Sequence, residues 1–445
     1  MGRLFGTDGV RGLANADLTP ELALGLSLAA AHVLAESHLG HRPTAVVGRD
    51  PRGSGEMLEA AVVAGLTSAG ADVLRLGVLP TPGVAYLVRA LGADLGVMLS
   101  ASHNPMPDNG MKFLDRDGFK LADTVEDAIA ARLEEPWARP TGSGVGRARD
   151  EHAAVGQYVD HLVGTAGARL DGLRVVVDCA NGAASEVAPE VLRRLGAEVT
   201  AIHATPDGNN INDGCGSTHL ESLQDAVRAA GADAGIAHDG DADRCLAIDA
   251  AGEVVDGDQI LAICALAERD RGALARDSVV TTVMTNLGFR QAMAAHGIDV
   301  VETAVGDRYV LEAMRENSLD LGGEQSGHLI FLEHATTGDG VLTAVQLLSR
   351  MAVSGKPLAE LASVVQRLPQ VLVNVTVARR ERLADAADVH AAVTAAEREL
   401  GDTGRVLLRP SGTEPLIRVM VEAPSDEMAD RIARHLAAVV ESALG

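Results

Sequence analysis

The strongest constraint on the fold is an internal repeat that occurs three times along the 445-residue chain. In each copy a helical pattern ends in glycine and leads into a strand with one acidic residue, at residues 68–73, 194–199 and 295–300. An apolar, β-rich segment precedes each copy, at residues 45–48, 174–178 and 279–283. Short apolar runs that alternate with helical patterns indicate βαβ units, in which the glycine ends the helix. We therefore predict three related α/β units.

A second anchor follows in each unit, at residues 92–97, 231–236 and, less clearly, 319–323. From the first copy to the third, the two anchors shift by 227 and 226 positions, which is nearly in register. From the first copy to the second they shift by 126 and 139 positions, so the second unit carries 13 extra residues between its anchors. The segment from Thr205 to Ser217, rich in Gly, Asn and Asp, has the composition of this inserted loop.

A polar loop comes directly after each second anchor, at residues 100–105, 238–244 and 324–328. Each loop follows a buried strand, and open α/β sheets bind ligands at the carboxyl ends of their strands. We expect the three loops to direct different chemical groups into one cleft.

The C-terminal part of the chain has another pattern, with strands at 371–377, 405–409 and 416–422 and a helix at 386–400 before a final helix. This pattern predicts a small α+β domain. The predicted fold class is α/β, with three repeated mixed α/β domains and a C-terminal α+β domain around a central cleft. We place the domains at residues 1–150, 151–250, 251–368 and 369–445.

Composition excludes several functions. A formal net charge of −24 argues against binding to nucleic acid or to an anionic membrane, and aromatic residues make up only 2% of the chain. The four cysteines form no C-x-x-C pair, which fits core filling in a reducing compartment without structural zinc. The apolar stretch 22–35 is shorter than a membrane span of about 20 residues, and no signal sequence is evident at the N-terminus. We expect a cytoplasmic protein.

Asp239, Asp241 and Asp243 alternate in the second polar loop, so their carboxylates can converge on one hard cation such as Mg²⁺ or Ca²⁺. The EF-hand pattern fails, because Arg244 and Ala250 occupy the positions that need Gly and Glu. A solvated acidic turn is the alternative interpretation. Since Mg²⁺ often takes a phosphate oxygen as a ligand, a metal here favours a phosphorylated substrate.

Ser102 and His103 in the first polar loop superficially suggest a hydrolase nucleophile and base. The G-x-S-x-G motif is missing, and we expect neighbouring residues not to face each other. A simple Ser/Asn/Pro turn is the alternative. At a strand end beside a metal, however, the Ser102 hydroxyl could carry a phosphoryl group, and we count both residues as candidate catalytic residues.

Residues 409–415, with Arg418 on the next strand, have the composition of an anion-binding loop. Gly412 lets backbone N–H groups approach a phosphate, Ser411 and Thr413 offer hydroxyl donors, and the Arg409 guanidinium can bind bidentately. A hairpin with a surface arginine is the alternative. Weaker signals are the polar loop 324–328, suited to sugar hydroxyls, and the glycine-rich segment 6–12. Residues 53–55 are predicted to form a helix-entry turn.

Together these segments resemble the α-D-phosphohexomutase family over the whole chain. The motifs that carry the resemblance lie at residues 6–12, 100–105, 239–244, 303–310, 323–328 and 409–415. Gln325 is similar to the subgroup that acts on glucosamine phosphates, whereas phosphomannomutase/phosphoglucomutase members more often carry Met there. The resemblance implies four domains around a central cleft. It also implies interconversion of glucosamine 6-phosphate and glucosamine 1-phosphate, which supplies UDP-N-acetylglucosamine for the cell wall.

The resemblance also implies roles for individual residues. Ser102 would carry a catalytic phosphate, primed by a sugar 1,6-bisphosphate or by autophosphorylation, and Mg²⁺ would be held by a Ser102 phosphate oxygen and the three aspartates of the second loop. The phosphoryl group would pass to the substrate through a 1,6-bisphosphate, with Arg244 offsetting its charge. Family positions matched to the other candidate residues are Arg11, Lys112 and His328 for proton transfer or phosphate contact, Glu324 and Ser326 for sugar hydroxyls, and Arg409, Ser411, Gly412, Thr413 and Arg418 for the distal phosphate.

Three alternatives stay open at this point. Phosphoglucomutase or phosphomannomutase activity within the same family is the first. The second is an aspartyl-phosphate hydrolase with Asp239 as nucleophile and Asp241 as acid, and the third is a non-catalytic sugar-phosphate sensor. The expected partner is a hexosamine phosphate, and the protein is expected to be a monomer or a homodimer.

Overall fold

The three predicted units form three sheets with one strand order. In the computed structural model, which describes residues 3–6, 8–35, 40–411 and 415–445, each repeat contributes two parallel strands joined by a helix, a third parallel strand, and a fourth, antiparallel strand. We number the four strands of each repeat in chain order. Across each sheet these strands then lie in the order fourth, third, first, second. The repeat inferred from the sequence is confirmed, and the fourth strand is an addition that the sequence pattern did not indicate.

The first sheet has six strands, in the order β1-β5-β4-β2-β3-β6. Its elements are β1 (Val10–Leu13), α1 (Pro20–Ala35), β2 (Thr44–Arg49), α2 (Gly55–Ser68), β3 (Asp72–Val78), α3 (Thr81–Ala90), β4 (Leu95–Leu99), β5 (Asp108–Leu114), α4 (Asp123–Ala131) and β6 (Ala148–Asp150). Strand β5 runs antiparallel to β4, and β1 runs antiparallel to β5. The predicted turn at residues 53–55 is the start of α2, with Ser54 at its N-cap.

The second sheet has five strands, in the order β11-β10-β9-β7-β8. Its elements are α5 (Val155–Gly164), β7 (Arg174–Asp178), α6 (Ala184–Arg194), β8 (Glu198–Ile202), α7 (Glu221–Ala230), β9 (Ala234–Ala237), β10 (Leu246–Asp249) and β11 (Val254–Val255). The predicted insertion is the long irregular connection between β8 and α7.

The third sheet has four strands, in the order β13-β12-β14-β15. The elements of this region are α8 (Gly257–Asp270), β12 (Ser278–Thr282), α9 (Leu287–Ala295), β13 (Asp299–Thr303), α10 (Asp307–Asn317), β14 (Leu321–Gly323), β15 (Leu329–Phe331), α11 (Gly340–Ser354) and α12 (Leu358–Ala362). In all three sheets the polar loop connects the third strand of the repeat to the antiparallel fourth, so the three loops occupy equivalent places.

The chain divides into two units, and the predicted C-terminal α+β domain makes up most of the second. The first unit covers residues 1–284 and 298–364, and the second covers residues 285–297 and 365–445. The second contains a three-stranded antiparallel sheet in the order β16-β18-β17. Its elements after α9 are β16 (Gln370–Thr376), α13 (Ala387–Leu400), β17 (Arg405–Pro410), β18 (Leu416–Glu422) and α14 (Asp426–Leu444).

Helix α9 belongs to the second unit although it lies within the third repeat in sequence. The reason is a set of hydrogen bonds around its first turn. The Asn286 side chain donates to the Leu368 carbonyl at 3.0 Å and accepts from the Leu368 N–H at 3.0 Å, and the Leu287 N–H donates to Glu422 Oε2 at 2.9 Å.

Buried aliphatic side chains form the core of each sheet, as the scarcity of aromatic residues requires. The four cysteines are all buried and unpaired, which confirms their expected place in the core. Among the described residues no helix is both long enough and apolar enough to cross a membrane.

Helices α1 and α2 approach each other closely at Gly65, and this contact gives a test of the first core. A Cβ atom at Gly65 would lie 2.6 Å from the Leu24 carbonyl oxygen and 2.9 Å from Ser27 Cβ. We expect Gly65→Ala to lower the free energy of unfolding by about 1–3 kcal/mol, because the two helices must separate to accommodate the methyl group.

Gly25 in α1 is the matched control, since a Cβ there meets only the flexible end of Leu133 at 3.4 Å. Gly25→Ala should raise stability by up to ~1 kcal/mol, because alanine has the higher helix propensity. Urea unfolding followed by circular dichroism measures both changes, and equal shifts of the same sign would contradict this packing argument.

Candidate active site and metal centre

The first polar loop places Ser102 at the end of β4 in an unusual backbone conformation. Ser102 has a left-handed φ of 51° and is 1% exposed. Its Oγ donates a hydrogen bond to Asp239 Oδ2 at 2.5 Å. The hydroxyl of the first loop is therefore in direct contact with the carboxylates of the second.

His103 does face Ser102, contrary to the expectation for neighbouring residues. Its Nδ1 lies 3.2 Å from Ser102 Oγ, because the left-handed turn at Ser102 brings both side chains to one side. Burial, reinforced by the charges of Arg244 and Arg11, lowers the pKa of His103 to about 4. The imidazole is therefore neutral near pH 7 and can accept a hydrogen bond.

The second polar loop brings the three alternating aspartates together. Asp239, Asp241 and Asp243 are at most 5% exposed, and each offers a carboxylate oxygen within 4.8 Å of the other two. Ala242, between two of them, has a left-handed φ of 56°, which turns the loop so that the carboxylates converge. Oδ1 of Asp241 and Oδ1 of Asp243 are buried without a hydrogen-bond partner among the described residues. Buried oxygens of this kind fit a hard cation such as Mg²⁺.

The electrostatics of the three aspartates are unequal. Burial and repulsion by Asp243 and Asp241 raise the pKa of Asp239 well above its usual range, and burial and the Asp241 charge raise the pKa of Asp243. Burial works against ionisation of Asp241 as well, but the Lys112 ammonium at 2.8 Å outweighs it and lowers the pKa of Asp241. Asp241 thus pairs with a lysine at hydrogen-bond distance, whereas Lys112 Nζ and Arg244 Nε lie 3.8 Å from the carboxylate oxygens of Asp243.

A cleft of about 660 Å³ adjoins these groups. Its lining includes the candidates Arg11, Ser102, His103, Asp243, Arg244, Glu324, Gln325, Ser326 and His328. Within the first unit, the structure therefore brings the three polar loops to one cleft, as the repeat predicted. His328 is 3% exposed, and both of its ring nitrogens lack a hydrogen-bond partner among the described residues.

The segment predicted to bind an anion connects β17 and β18 in the sequence of the second unit. Arg409 and Arg418 are directly paired across these antiparallel strands. Partial burial and the neighbouring Arg418 charge lower the pKa of Arg409. Two adjacent guanidiniums favour an anion between or beside them. The candidates Gly412 and Thr413 lie outside the described residues, whereas Ser411 is buried and its carbonyl accepts a hydrogen bond from Arg380 at 2.7 Å.

Comparison with known protein families shows which family this chain belongs to. The chain matches four domain families described as phosphoglucomutase/phosphomannomutase: alpha/beta/alpha domain I over residues 2–138, domain II over 156–252, domain III over 256–368 and the C-terminal domain over 372–439. The chain belongs to the phosphoglucomutase/phosphomannomutase family. The resemblance to phosphohexomutases inferred from the motifs is confirmed.

Individual relatives within this family align with the whole length of the chain. The phosphoglucosamine mutase of Acidothermus cellulolyticus is 68% identical over 100% of this chain and 96% of its own length. That of Streptomyces griseus is 66% identical over 100% of both chains. A solved phosphoglucomutase/phosphomannomutase family protein from Burkholderia thailandensis has the same fold, with a TM-score of 0.83, 24% identity and coverage of 98% of this chain and 97% of that one.

Further charged groups lie in or beside the cleft of this phosphohexomutase, and they were not among the site residues predicted from the sequence. Asp8 pairs with Arg11, with Lys112 at 2.9 Å and with Lys120 at 2.6 Å, and Lys120 also pairs with Asp307. Asp307 Oδ2 lies 3.6 Å from His328 Nε2. Lys112 and Lys120 are two of only three lysines in the chain, and this rarity is a signal that could have identified Lys120. Asp8 and Asp307 lie in two of the quoted motifs.

A second cluster that could hold a metal, Asp178, His203 and Cys215, has internal partners. Asp178 accepts hydrogen bonds from the N–H groups of Ala180 at 2.9 Å and Gly216 at 3.0 Å. Burial and the Asp178 charge raise the pKa of the Cys215 thiol to about 12. We assign no metal to this cluster of the phosphohexomutase.

The unequal aspartates give a test with opposite outcomes for two similar substitutions. Asp241→Asn should destabilise the metal-free protein by about 1.5–3 kcal/mol, because buried Lys112 loses a charged hydrogen-bond partner. Asp243→Asn should leave the metal-free protein at least as stable as the wild type, because a repelled carboxylate is removed. We expect Mg²⁺ to raise the melting temperature of the wild type, and both variants should lose that rise.

Thermal unfolding with and without MgCl₂ measures all of these effects. A full Mg²⁺-dependent shift in Asp243→Asn would rule out the three carboxylates as the metal site.

Proposed function

We propose that this protein is a phosphoglucosamine mutase, an isomerase that interconverts glucosamine 6-phosphate and glucosamine 1-phosphate and so supplies UDP-N-acetylglucosamine for cell-wall synthesis. The observation that carries the proposal is the contact between Ser102 Oγ and the Asp239 carboxylate, in a chain whose relatives of that name align over its full length. A hydroxyl that contacts a cluster of carboxylates able to bind a cation is well placed to carry a phosphoryl group. We further propose a cytoplasmic location and no nucleic-acid partner, in keeping with the −24 charge.

Ser102 is proposed to carry a phosphoryl group in the active enzyme, introduced by a sugar 1,6-bisphosphate or by autophosphorylation. The phosphoryl group passes to O1 of glucosamine 6-phosphate, whose O1 proton goes to a base, and a 1,6-bisphosphate forms. After this intermediate turns around in the cleft, its 6-phosphoryl group returns to Ser102 and glucosamine 1-phosphate is released. Each transfer breaks one P–O bond and forms another, so the enzyme ends as it began.

Phosphoryl transfer depends on positioning and on neutralisation of charge. Mg²⁺ bound by Asp239, Asp241, Asp243 and an oxygen on Ser102 would supply a positive charge beside the transferring group. Arg244, which lines the cleft next to Asp243, would supply another. The alternating carboxylates and the free carboxylate oxygens support this assignment.

His328 is the proposed proton-transfer group among Arg11, Lys112 and His328. Although burial opposes it, the charges of Asp241 and Asp8 raise the pKa of Lys112 far above its usual range, so the ammonium keeps its proton. An arginine is likewise protonated at any working pH. His328 lines the cleft, and neither of its ring nitrogens makes a hydrogen bond among the described residues. A neutral imidazole has a nitrogen that can accept a proton, which a protonated lysine or arginine lacks.

The remaining candidates are proposed to bind the substrate. Glu324 and Ser326 line the cleft with groups that can hydrogen-bond sugar hydroxyls. The paired guanidiniums of Arg409 and Arg418, with Ser411, Gly412 and Thr413, would bind the phosphate that is not being transferred. We propose that the four matched domains correspond to residues 1–150, 151–250, 251–368 and 369–445.

The hydrolase alternative fits the geometry poorly. Asp241 would have to act as the acid, yet it is 0% exposed, pairs with Lys112 and accepts a hydrogen bond from Thr81 Oγ1 at 2.5 Å. Incubation with a labelled sugar 1,6-bisphosphate separates the two reactions. We expect acid-stable label on Ser102 and no turnover in Ser102→Ala. Label on Asp239, net release of phosphate, or full turnover by Ser102→Ala would contradict the mutase mechanism.

The sugar preference has its own test. We expect kcat/KM to be highest for glucosamine 1-phosphate among glucosamine, glucose and mannose 1-phosphates, with the other two serving as poorer substrates. Coupled assays under identical Mg²⁺ and bisphosphate concentrations give the comparison. A preference for glucose or mannose 1-phosphate would instead assign the protein to the phosphoglucomutase or phosphomannomutase activity of its family.

A further inference from the structure

The 13-residue insertion of the second repeat has no counterpart in the other two, and its role is not explained by the reaction. The loop crosses from the second sheet to the first repeat, where the Gly208 carbonyl accepts a hydrogen bond from the Gly53 N–H at 2.8 Å. It is fixed to its own repeat by the Asn212 N–H, which donates to the Ala180 carbonyl at 2.9 Å. The insertion therefore joins two repeats at defined points.

The Asn212 side chain reaches the loop that carries the nucleophile. Its Nδ2 donates to the Ser102 carbonyl at 2.9 Å and to the Asn104 carbonyl at 3.0 Å. Arg52, fully buried beneath the same loop, donates from Nη2 to these two carbonyls at 2.9 and 2.8 Å. Each of the two carbonyls thus accepts two hydrogen bonds, one from Arg52 of the first repeat and one from Asn212 of the second.

The same asparagine also borders the metal-binding loop. A Cβ atom at Gly240 would lie 2.5 Å from the Ser102 carbonyl oxygen, 2.9 Å from Asn212 Nδ2 and 2.9 Å from Ile211 Cδ1. The nucleophile loop, the metal loop and the insertion therefore meet at Gly240 without room for a side chain.

We infer that Asn212 is a positioning residue for phosphoryl transfer, and that the insertion serves to place it. By binding the Ser102 and Asn104 carbonyls, Asn212 fixes the left-handed turn that aims Ser102 Oγ at Asp239. Arg52 ties the loop to its own repeat, whereas Asn212 ties it to the repeat that carries the metal ligands. Asn212 thereby sets the distance between nucleophile and metal site. This inference rests on the proposed function of Ser102 as the phosphoryl carrier.

The test compares Asn212→Asp and Asn212→Ala with Asn210→Ala. Asn212→Asp keeps the size of the side chain but replaces Nδ2, which donates both hydrogen bonds, with a carboxylate oxygen that repels the two carbonyls. Asn212→Ala is the milder change, because it removes the two hydrogen bonds without placing a repelling oxygen against the carbonyls. Asn210 is the matched control in the same loop, since its Nδ2 donates to Thr205 within the loop and makes no contact with the Ser102 loop among the described residues.

Two quantities are measured: the rate at which glucose 1,6-bisphosphate phosphorylates Ser102, followed by intact-protein mass spectrometry, and kcat and KM for glucosamine 1-phosphate. We expect Asn212→Asp to lower the phosphorylation rate and kcat by about 100-fold, and Asn212→Ala by about 10-fold, because a displacement of ~1 Å in the reacting groups has effects of this size. KM should stay close to the wild-type value. Asn210→Ala should behave as the wild type.

Normal phosphorylation and kcat in both Asn212 variants would overturn the inference while leaving the proposed function intact. So would an equal loss of kcat in Asn210→Ala, or a rise in KM without a fall in kcat. If the wild-type protein itself gains no phosphate on Ser102, the proposed function fails and this inference fails with it.

Discussion

The ion pair between Lys112 and Asp241 is the contact on which the arrangement of the cleft depends. Both groups are almost completely buried, and a buried charge is tolerated only with a partner. Lys112 lies on β5 of the first repeat and Asp241 in the polar loop of the second, so the pair also fixes two repeats relative to each other. Lys112 extends the network through Asp8 to Lys120 and Asp307, which begins α10 of the third repeat. The three repeats of the first unit thus share one chain of opposite charges.

Among the described residues, this network leaves two of the three aspartates, Asp239 and Asp243, without a lysine at hydrogen-bond distance. Lys112 neutralises Asp241, whereas burial and repulsion by the neighbouring aspartates raise the pKa of Asp239 and the pKa of Asp243. A lysine beside every carboxylate would stabilise the apo protein and block the metal. The arrangement instead pairs one carboxylate with a lysine and leaves the other two for the proposed cation.

Much of the fold and of the site could be predicted from the sequence. The periodic recurrence of glycine, acidic residue and apolar strand identified three repeats, and the polar residues after each second anchor identified Ser102, the aspartates and the Glu324–His328 segment. The repeats and the positions of these loops could be predicted because strand periodicity and the placement of polar loops at strand ends are local properties. The antiparallel fourth strands of the second and third repeats were missed, since β10 has only four residues and β15 only three, too few to show a period. The fourth strand of the first repeat, β5, has seven residues but begins with Asp108-Asn109-Gly110, which is typical of a turn. The assignment of α9 to the second unit was also missed, because it depends on contacts with residues near 368 and 422 that are distant in sequence.

The sequence by itself determined which chemical groups the protein has and which loop carries each. Only the tertiary structure decided which groups touch. It placed Asp8, Lys120 and Asp307 in the charge network, turned His103 toward Ser102, and brought Asn212 from the insertion to the loop that contains Ser102. The physical reason is that ion pairing and hydrogen bonding act over about 3 Å in space, whereas these partners are separated by up to 187 positions in the chain. A strand period carries no information about such distances until the sheets have formed.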